Sequence, residues 1–247
     1  MTGQIEDWFS SDYYSLLYQH RDCEEAKLFI DNLIALLKIP SGSSILDCGC
    51  GKGRHSIYLS EKGFEVTGID ISKKNIADAK KEVKENLSFH VHDMRNLFRK
   101  NRYDAALNLF TSFGYFENDS ENNKAIKSIC GALKKNGWFV LDFMNVEKEI
   151  KELIPAEKLM IDGINFEVTR FTENNFIVKE IFVSDKGKKY LFRERVKTYK
   201  RAALENFFNQ NKLKAVHLFG NYHLNPFHET TSKRLIIIGR KKSNHDQ

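Results

Sequence analysis

Ten residues, Ile45-Leu46-Asp47-Cys48-Gly49-Cys50-Gly51-Lys52-Gly53-Arg54, limit the fold of this chain more tightly than any other stretch. A short apolar run, Ser44 to Cys48, leads into them, and a helical segment, His55 to Lys62, follows and is closed by Gly63. Glycines between a strand and a helix let the backbone turn sharply and approach a ligand with no Cβ in the way. A dinucleotide fingerprint, G-x-G-x-x-G, asks for Gly or Ala at its sixth position, where this chain has Arg54. Asp47, two residues before the first glycine, would repel a pyrophosphate and attract a cationic amino acid group. The turn therefore leans away from NAD and toward a cofactor that carries positive charge.

The pattern that follows alternates strand and helix. Phe64 to Ile69 predicts a second strand, Ser72 caps a helix running to about Glu85, and Leu87 to His92 and Tyr103 to Phe110 predict two more strands. Ser120 to Lys135 predicts a helix stopped by Asn136-Gly137, and Trp138 to Phe143 a fifth strand. Such alternation implies parallel βαβ units with right-handed crossovers. Upstream, residues 1–40 read as helical, with an aromatic opening (Trp8, Phe9, Tyr13, Tyr14, Tyr18) and an amphipathic run from Asp22 to Lys38. Downstream the period changes to that of strands: Ile164 to Phe171, Phe176 to Val183 and Lys189 to Tyr199, separated by the polar turns Glu173-Asn174-Asn175 and Asp185-Lys186-Gly187. A helix, Arg201 to Asn211, and two strands, Leu213 to Gly220 and Arg234 to Arg240, complete the pattern. The expected division is an N-terminal helical segment or lid at 1–42, a main domain at 43–157 and 199–247, and an inserted antiparallel β subdomain at 158–198.

Two further carboxylates stand at strand ends. Asp70 ends the second strand, 17 residues beyond Gly53, where an acidic side chain can accept both hydroxyl protons of a ribose. Asp93 follows the third strand, where a carboxylate can accept from an exocyclic amine while the next backbone N–H donates to a ring nitrogen. The spacing Asp47-x-Gly49-x-Gly51-x-Gly53, then Asp70, then Asp93, resembles the class I methyltransferases that use S-adenosylmethionine, in their small bacterial form. The resemblance covers residues 43–143 well and the final helix-strand-strand more loosely. It implies a Rossmann-like α/β fold, a mostly parallel seven-stranded sheet with helices on both faces, to which the small antiparallel sheet is added.

The same resemblance implies a set of roles. Gly49, Cys50 and Gly51 would line the methionine part of S-adenosylmethionine and Asp47 would orient its amino group. Asp70 would hold the ribose and Ile71 would pack on the adenine. Asp93 and Met94 would read the adenine edge, and Leu109 and Phe110 would close the floor. Methyl transfer is an in-line displacement, so the protein mainly positions the nucleophile and excludes water. Candidates for the reacting end lie in Phe110 to Phe116 and Asp142 to Asn145, with Tyr115 and Asp142 singled out, and with His55 as a base. Tyr14, with Tyr13 and Tyr18, could cover the sulfonium through cation–π contacts, and Tyr199 and Tyr222 are weaker candidates on the acceptor side.

Charge and composition bear on the acceptor. Residues 1–150 hold 20 Lys/Arg and 22 Asp/Glu, whereas residues 151–247 hold 19 and 11, so the net +6 sits wholly in the C-terminal portion. An RNA or protein acceptor docked on that portion is one alternative, and a non-catalytic module binding S-adenosylmethionine or S-adenosylhomocysteine is another. No Asn-Pro-Pro-Tyr or Asp-Pro-Pro-Tyr follows the fourth strand and no Pro-Cys nucleophile is present, which favours a small-molecule N or O acceptor. The four cysteines (Cys23, Cys48, Cys50, Cys130) lack zinc spacing, so no metal is expected and free thiols in a reducing cytoplasm are the simplest account. No apolar run approaches the roughly 20 residues of a membrane span, Met1 to Asp12 has no basic residue of a secretory signal, and a monomer or homodimer is expected.

Overall fold

The structure, a computed structural model, describes residues 7–18 and 23–242. Asp22 and the first six residues of the chain therefore lie outside the described residues. β1 (Ser44–Cys48) pairs in parallel with β2 (Glu65–Asp70) on one side and β4 (Tyr103–Asn108) on the other. β3 (Leu87–Val91) extends the sheet beyond β2, and β5 (Leu133–Met144) extends it beyond β4, both in parallel. β11 (Arg234–Lys241) runs antiparallel to β5, and β10 (Leu213–Phe219) antiparallel to β11 at the edge. The order is β10-β11-β5-β4-β1-β2-β3, and it reverses at β1, the switch point where ligands enter open α/β sheets.

All five residues of β1 are buried, as parallel strands covered on both faces must be. Successive side chains point to opposite faces, so Ile45 joins one core and Leu46 the other. On the Ile45 side pack α2 (Cys23–Leu37), α3 (Arg54–Glu61) and α4 (Lys73–Ala79), through residues such as Phe29, Leu59 and Ile76. On the Leu46 side pack α5 (Asp119–Ala132) and α7 (Arg201–Gln210), through Ile126, Ile129 and Phe208. Two helix ends fall earlier than the sequence predicts. α4 stops at Ala79 and continues only as a 3₁₀ turn to Glu82, because Val83 is extended. α5 stops at Ala132 because Leu133 is drawn into the ladder opposite Tyr103, and Asn136 takes a left-handed φ of 61° inside the strand. A short helix, α6 (Val146–Lys151), was not foreseen.

The second sheet has four antiparallel strands in the order β6-β7-β8-β9: β6 (Ala156–Ile161), β7 (Ile164–Glu173), β8 (Phe176–Asp185) and β9 (Lys188–Lys197). Each connection is two residues with positive φ, at Asp162-Gly163, Asn174-Asn175 and Lys186-Gly187, the geometry that matches the right-handed twist of hairpin strands. β6 was not expected, since its side chains are largely exposed and show no alternation, yet Asp162-Gly163 is itself a strong hairpin signal. The aromatic opening of the chain packs on this sheet. Ser11 caps α1 (Asp12–Leu17) by accepting from the Tyr14 N–H, and Trp8 and Leu17 close over Phe166, Val168, Ile181 and Val183.

Candidate active site

The glycines of the first turn are there for steric reasons that the structure makes explicit. Gly49 has φ +74°, and a Cβ on it would stand 2.6 Å from the Ser112 Cβ; Gly53 has φ +87°, and a Cβ there would stand 2.5 Å from the Phe89 ring. A Cβ on Gly51 would meet nothing within 4 Å, because Gly51 opens on a cavity of about 1060 Å³ at the carboxyl ends of the strands. Gly49, Gly51, Asp70, Ile71, Asp93, Met94, Phe110, Tyr14 and Tyr115, all expected at the site, line this one cavity. Asp70 is held from below: its Oδ2 accepts from the Gly51 N–H (2.9 Å) and its Oδ1 from the Ser72 N–H (2.8 Å). These two bonds fix the orientation of the Asp70 carboxylate.

Asp93 is held by Arg95, which reaches it through the backbone N–H (2.9 Å) and through Nη2 (2.6 Å). Burial raises the pKa of Asp93, but the hydrogen bonds and charge of Arg95 outweigh it and keep the carboxyl below its ordinary range. Arg95 continues to Glu121 (2.5 Å) and lies 4.5 Å over the Phe116 ring, and all three line the cavity.

Several expected site residues do not line this cavity. Asp47 is only 1% exposed and accepts from the Ser56 hydroxyl at 2.6 Å, behind the turn and outside the cavity lining. Burial raises its pKa to about 6. The Cys50 thiol points back toward the Gly51 carbonyl, and Leu109 is core. His55 does not reach the cavity: it is buried beside Phe110, and burial, with Arg54 adding to it, depresses its pKa to about 3, which leaves a poor base. Tyr199 is packed in the core with its hydroxyl on Asp119 (2.6 Å).

Asp142 also does not line the cavity, and its hydrogen bonds run to the turn that follows β4. Phe110 and Thr111 are consecutive residues at φ 59°, a left-handed conformation that non-glycine residues, and β-branched ones above all, rarely adopt. Asp142 holds them there: its Oδ2 accepts from the Phe110 N–H (2.7 Å) and its backbone carbonyl from the Thr111 N–H (3.0 Å). Arg234 donates from Nε to Asp142 (2.7 Å) and from Nη2 to the Thr111 hydroxyl (2.8 Å), and Tyr222 donates to Asp142 (3.0 Å). The Phe110 ring packs against the Arg54 guanidinium, 4.0 Å away, and the Tyr222 ring, 5.7 Å away. Arg54, which breaks the dinucleotide fingerprint, thus shapes the cavity floor, and Asp142 and Tyr222 act by bracing it.

The far wall is the second sheet together with the aromatic segment. Arg170, Ile177, Lys179 and Glu194 line it from β7, β8 and β9, with Phe9 and Tyr14 beside them. Glu194 accepts from the Trp8 indole N–H (3.3 Å), the Tyr18 hydroxyl (3.3 Å) and the Tyr115 hydroxyl (3.2 Å). The aromatic segment is also tied to the start of α4, where the Ser10 and Ser72 hydroxyls lie 2.7 Å apart and the Asn75 side chain donates to the Phe9 carbonyl (3.2 Å). Arg95, Lys179, Glu194 and Arg234 carry no motif; only the cross-strand register of β7 to β9 brings Lys179 and Glu194 to the wall.

A profile of the methyltransferase-domain family matches residues 39–199, which is more than half of the chain. The chain belongs to that family. A putative methyltransferase of Bacillus subtilis, YqeM, is 34% identical over 120 residues, 47% of this chain and 48% of that protein. A dTDP-3-amino-3,4,6-trideoxy-alpha-D-glucopyranose N,N-dimethyltransferase of Streptomyces venezuelae is 26% identical over 133 residues, 53% of this chain and 56% of that protein. The chain thus spans about half the length of the curated relatives it matches. The crystal structure of an S-adenosylmethionine-dependent methyltransferase from Clostridium acetobutylicum shares the fold, with a TM-score of 0.79 at 18% identity, covering 98% of both chains. Among the described residues no cluster of His, Cys, Asp or Glu could hold a metal ion, and no helix is long and apolar enough to cross a membrane.

Proposed function

We propose that this chain is an S-adenosylmethionine-dependent methyltransferase acting on a nitrogen or oxygen nucleophile of a small molecule. The observation that carries the reading is the backbone-anchored Asp70 at the end of β2, facing the same cavity as the open Gly51 turn. The cofactor supplies an electrophilic methyl group on a sulfonium; the residues of the chain bind, orient and exclude water. Asp70 is suited to a ribose, Ile71 and Met94 to the faces of an adenine, and Asp93 to its amino edge. Phe9, Tyr14 and Tyr115 present ring faces and edges to a cation.

The dimensions of the cavity support a small acceptor. A cavity of about 1060 Å³, closed by a sheet on one side and an aromatic segment on another, accommodates a cofactor and a small acceptor. The RNA or protein alternative draws less support. Lys214, Arg240 and Lys241, part of the basic excess, gather around Trp138, where β11 leaves β5 at the end opposite to the Arg234–Met144 pair beside the cavity. Calorimetry is expected to show binding of S-adenosylmethionine and none of NAD, and NAD binding alone would defeat the reading. Asp70→Ala should weaken the S-adenosylmethionine interaction at least tenfold, on the order of the loss of one charge-assisted hydrogen bond. An unchanged affinity would mean that Asp70 is not the ribose ligand.

A further inference from the structure

The charge on the far wall is unevenly compensated, and this bears on which acceptor fits. Every arginine that lines the cavity is matched by a carboxylate: Arg95 by Asp93 and Glu121, Arg170 by Glu157, Arg193 by Glu173, Arg195 by Glu117, and Arg234 by Asp142. Glu194 is different. Among the described residues it is held by an indole and two phenols and forms no direct ion pair. Lys179 stands directly opposite it in the β8–β9 register and donates to the Tyr18 hydroxyl, which in turn donates to Glu194. The lysine therefore sets the direction of the hydrogen-bond chain as well as contributing charge.

Among the described residues seven carboxylates and six lysine or arginine side chains line the cavity, so the lining carries no excess of positive charge. An incoming anion meets no surplus of cations there, whereas a cation meets the fixed carboxylate of Glu194. Phe9, Tyr14 and Tyr115 line the cavity as one aromatic cluster: Phe9 meets Tyr14 edge to face at 5.1 Å and Tyr115 at 5.3 Å, and the Tyr115 hydroxyl is on Glu194. A carboxylate combined with ring faces is the arrangement that recognises an ammonium group.

We infer that the acceptor is an amine that arrives as an ammonium ion and that Glu194, with the cavity-lining rings of Phe9, Tyr14 and Tyr115, receives it. This rests on the methyl-transfer reading above. Before attack the ammonium releases one proton to bulk water. The neutral amine keeps one N–H on Glu194, which turns the nitrogen lone pair away from the carboxylate. The lone pair forms the new N–C bond as the S–C bond breaks, and the S–C electron pair stays on sulfur as a neutral thioether. The product is an N-methylammonium ion, again paired with Glu194. A hydroxyl acceptor would offer the same site no cation and one donor only.

The test uses the full chain loaded with S-adenosylhomocysteine, whose binding is first established by calorimetry. Failure at that stage counts against the methyl-transfer reading, not against this inference. Cyclohexylamine, its neutral isostere cyclohexanol, and acetate are then titrated by ligand-observed NMR. The amine is expected to bind at least about tenfold more tightly than the alcohol, and acetate to bind least, as an ion pair in a partly desolvated site requires. Raising the pH until the amine is neutral should remove the preference. Glu194→Gln should reduce it to within about twofold, and Glu194→Asp, which keeps the charge, should restore most of it. The inference is overturned by an amine preference that is absent in the wild type, by one that survives in Glu194→Gln, or by tighter binding of acetate, which would assign the wall to an anion on Arg170 and Lys179. Should Glu194→Gln not fold, the wild-type titrations and their pH dependence decide.

Discussion

Asp142→Asn separates a bracing residue from a catalytic one. The Asp142 side chain is wholly buried, and its partner Arg234 is 19% exposed. The amide keeps the shape of the carboxyl but removes its charge, and whichever way it turns, an N–H₂ faces either the Arg234 guanidinium or the Phe110 N–H and Tyr222 hydroxyl, all of which are donors. Removing one partner of a buried ion pair costs about 3–5 kcal/mol, and the partial exposure of Arg234 places this case at about 3. For a chain of this size 1 kcal/mol moves the melting temperature by about 2–4 °C, so Asp142→Asn should melt about 6–12 °C lower. Release of the strained Phe110–Thr111 pair, which holds about 1–3 kcal/mol per residue, should also weaken cofactor binding, because both residues line the cavity. The assay is thermal unfolding by circular dichroism, paired with calorimetry of S-adenosylhomocysteine. Replacing both partners, as Asp142→Leu with Arg234→Met, should recover part of the lost stability, since no unpaired charge is then left in the core. A melting temperature within about 2 °C of wild type, accompanied by a large fall in turnover, would refute the bracing account and restore Asp142 to the reaction.

Two further outcomes follow from the same turn. Gly49→Ala must combine a φ of +74° with a Cβ 2.6 Å from that of Ser112, so it should lose about 2–4 kcal/mol in denaturant unfolding; a loss below about 0.5 would show that the turn can relax. Asp47, with its pKa raised by burial to about 6, contributes stability as a neutral acid that is fully present below the unfolded value near 4 and is lost as the pH rises through 6. Wild type should therefore lose about 3 kcal/mol across that window from this group, and Asp47→Asn, neutral at every pH, should show a correspondingly flatter profile; parallel profiles would place the ionised form in better surroundings than the structure provides.

Much of the main sheet could be read from the order of residues because its signals are local. An apolar run bounded by glycine, or a helix begun by Ser72, is decided within a few residues, and so β1 to β4 fell within a residue or two of their expected places. The end of α5 did not, because pairing of Leu133 with Tyr103, 30 positions earlier, overrides its helical pattern. β6 escaped because an exposed edge strand has no buried face to impose alternation.

The candidate site divides along the same line. Backbone demands appear in the sequence as glycine, and a carboxylate at a strand end has one direction in which to face, so Gly49, Gly51, Asp70 and Asp93 could be named from their spacing. Whether a polar side chain faces a cavity or a core depends on what the rest of the chain places against it. Only the tertiary structure could turn Asp47, His55 and Asp142 inward, set Arg54 on Phe110, and bring Glu194 from a distant hairpin to the hydroxyl of Tyr115. Burial and long-range register, which no short motif encodes, decided which charges the cavity keeps.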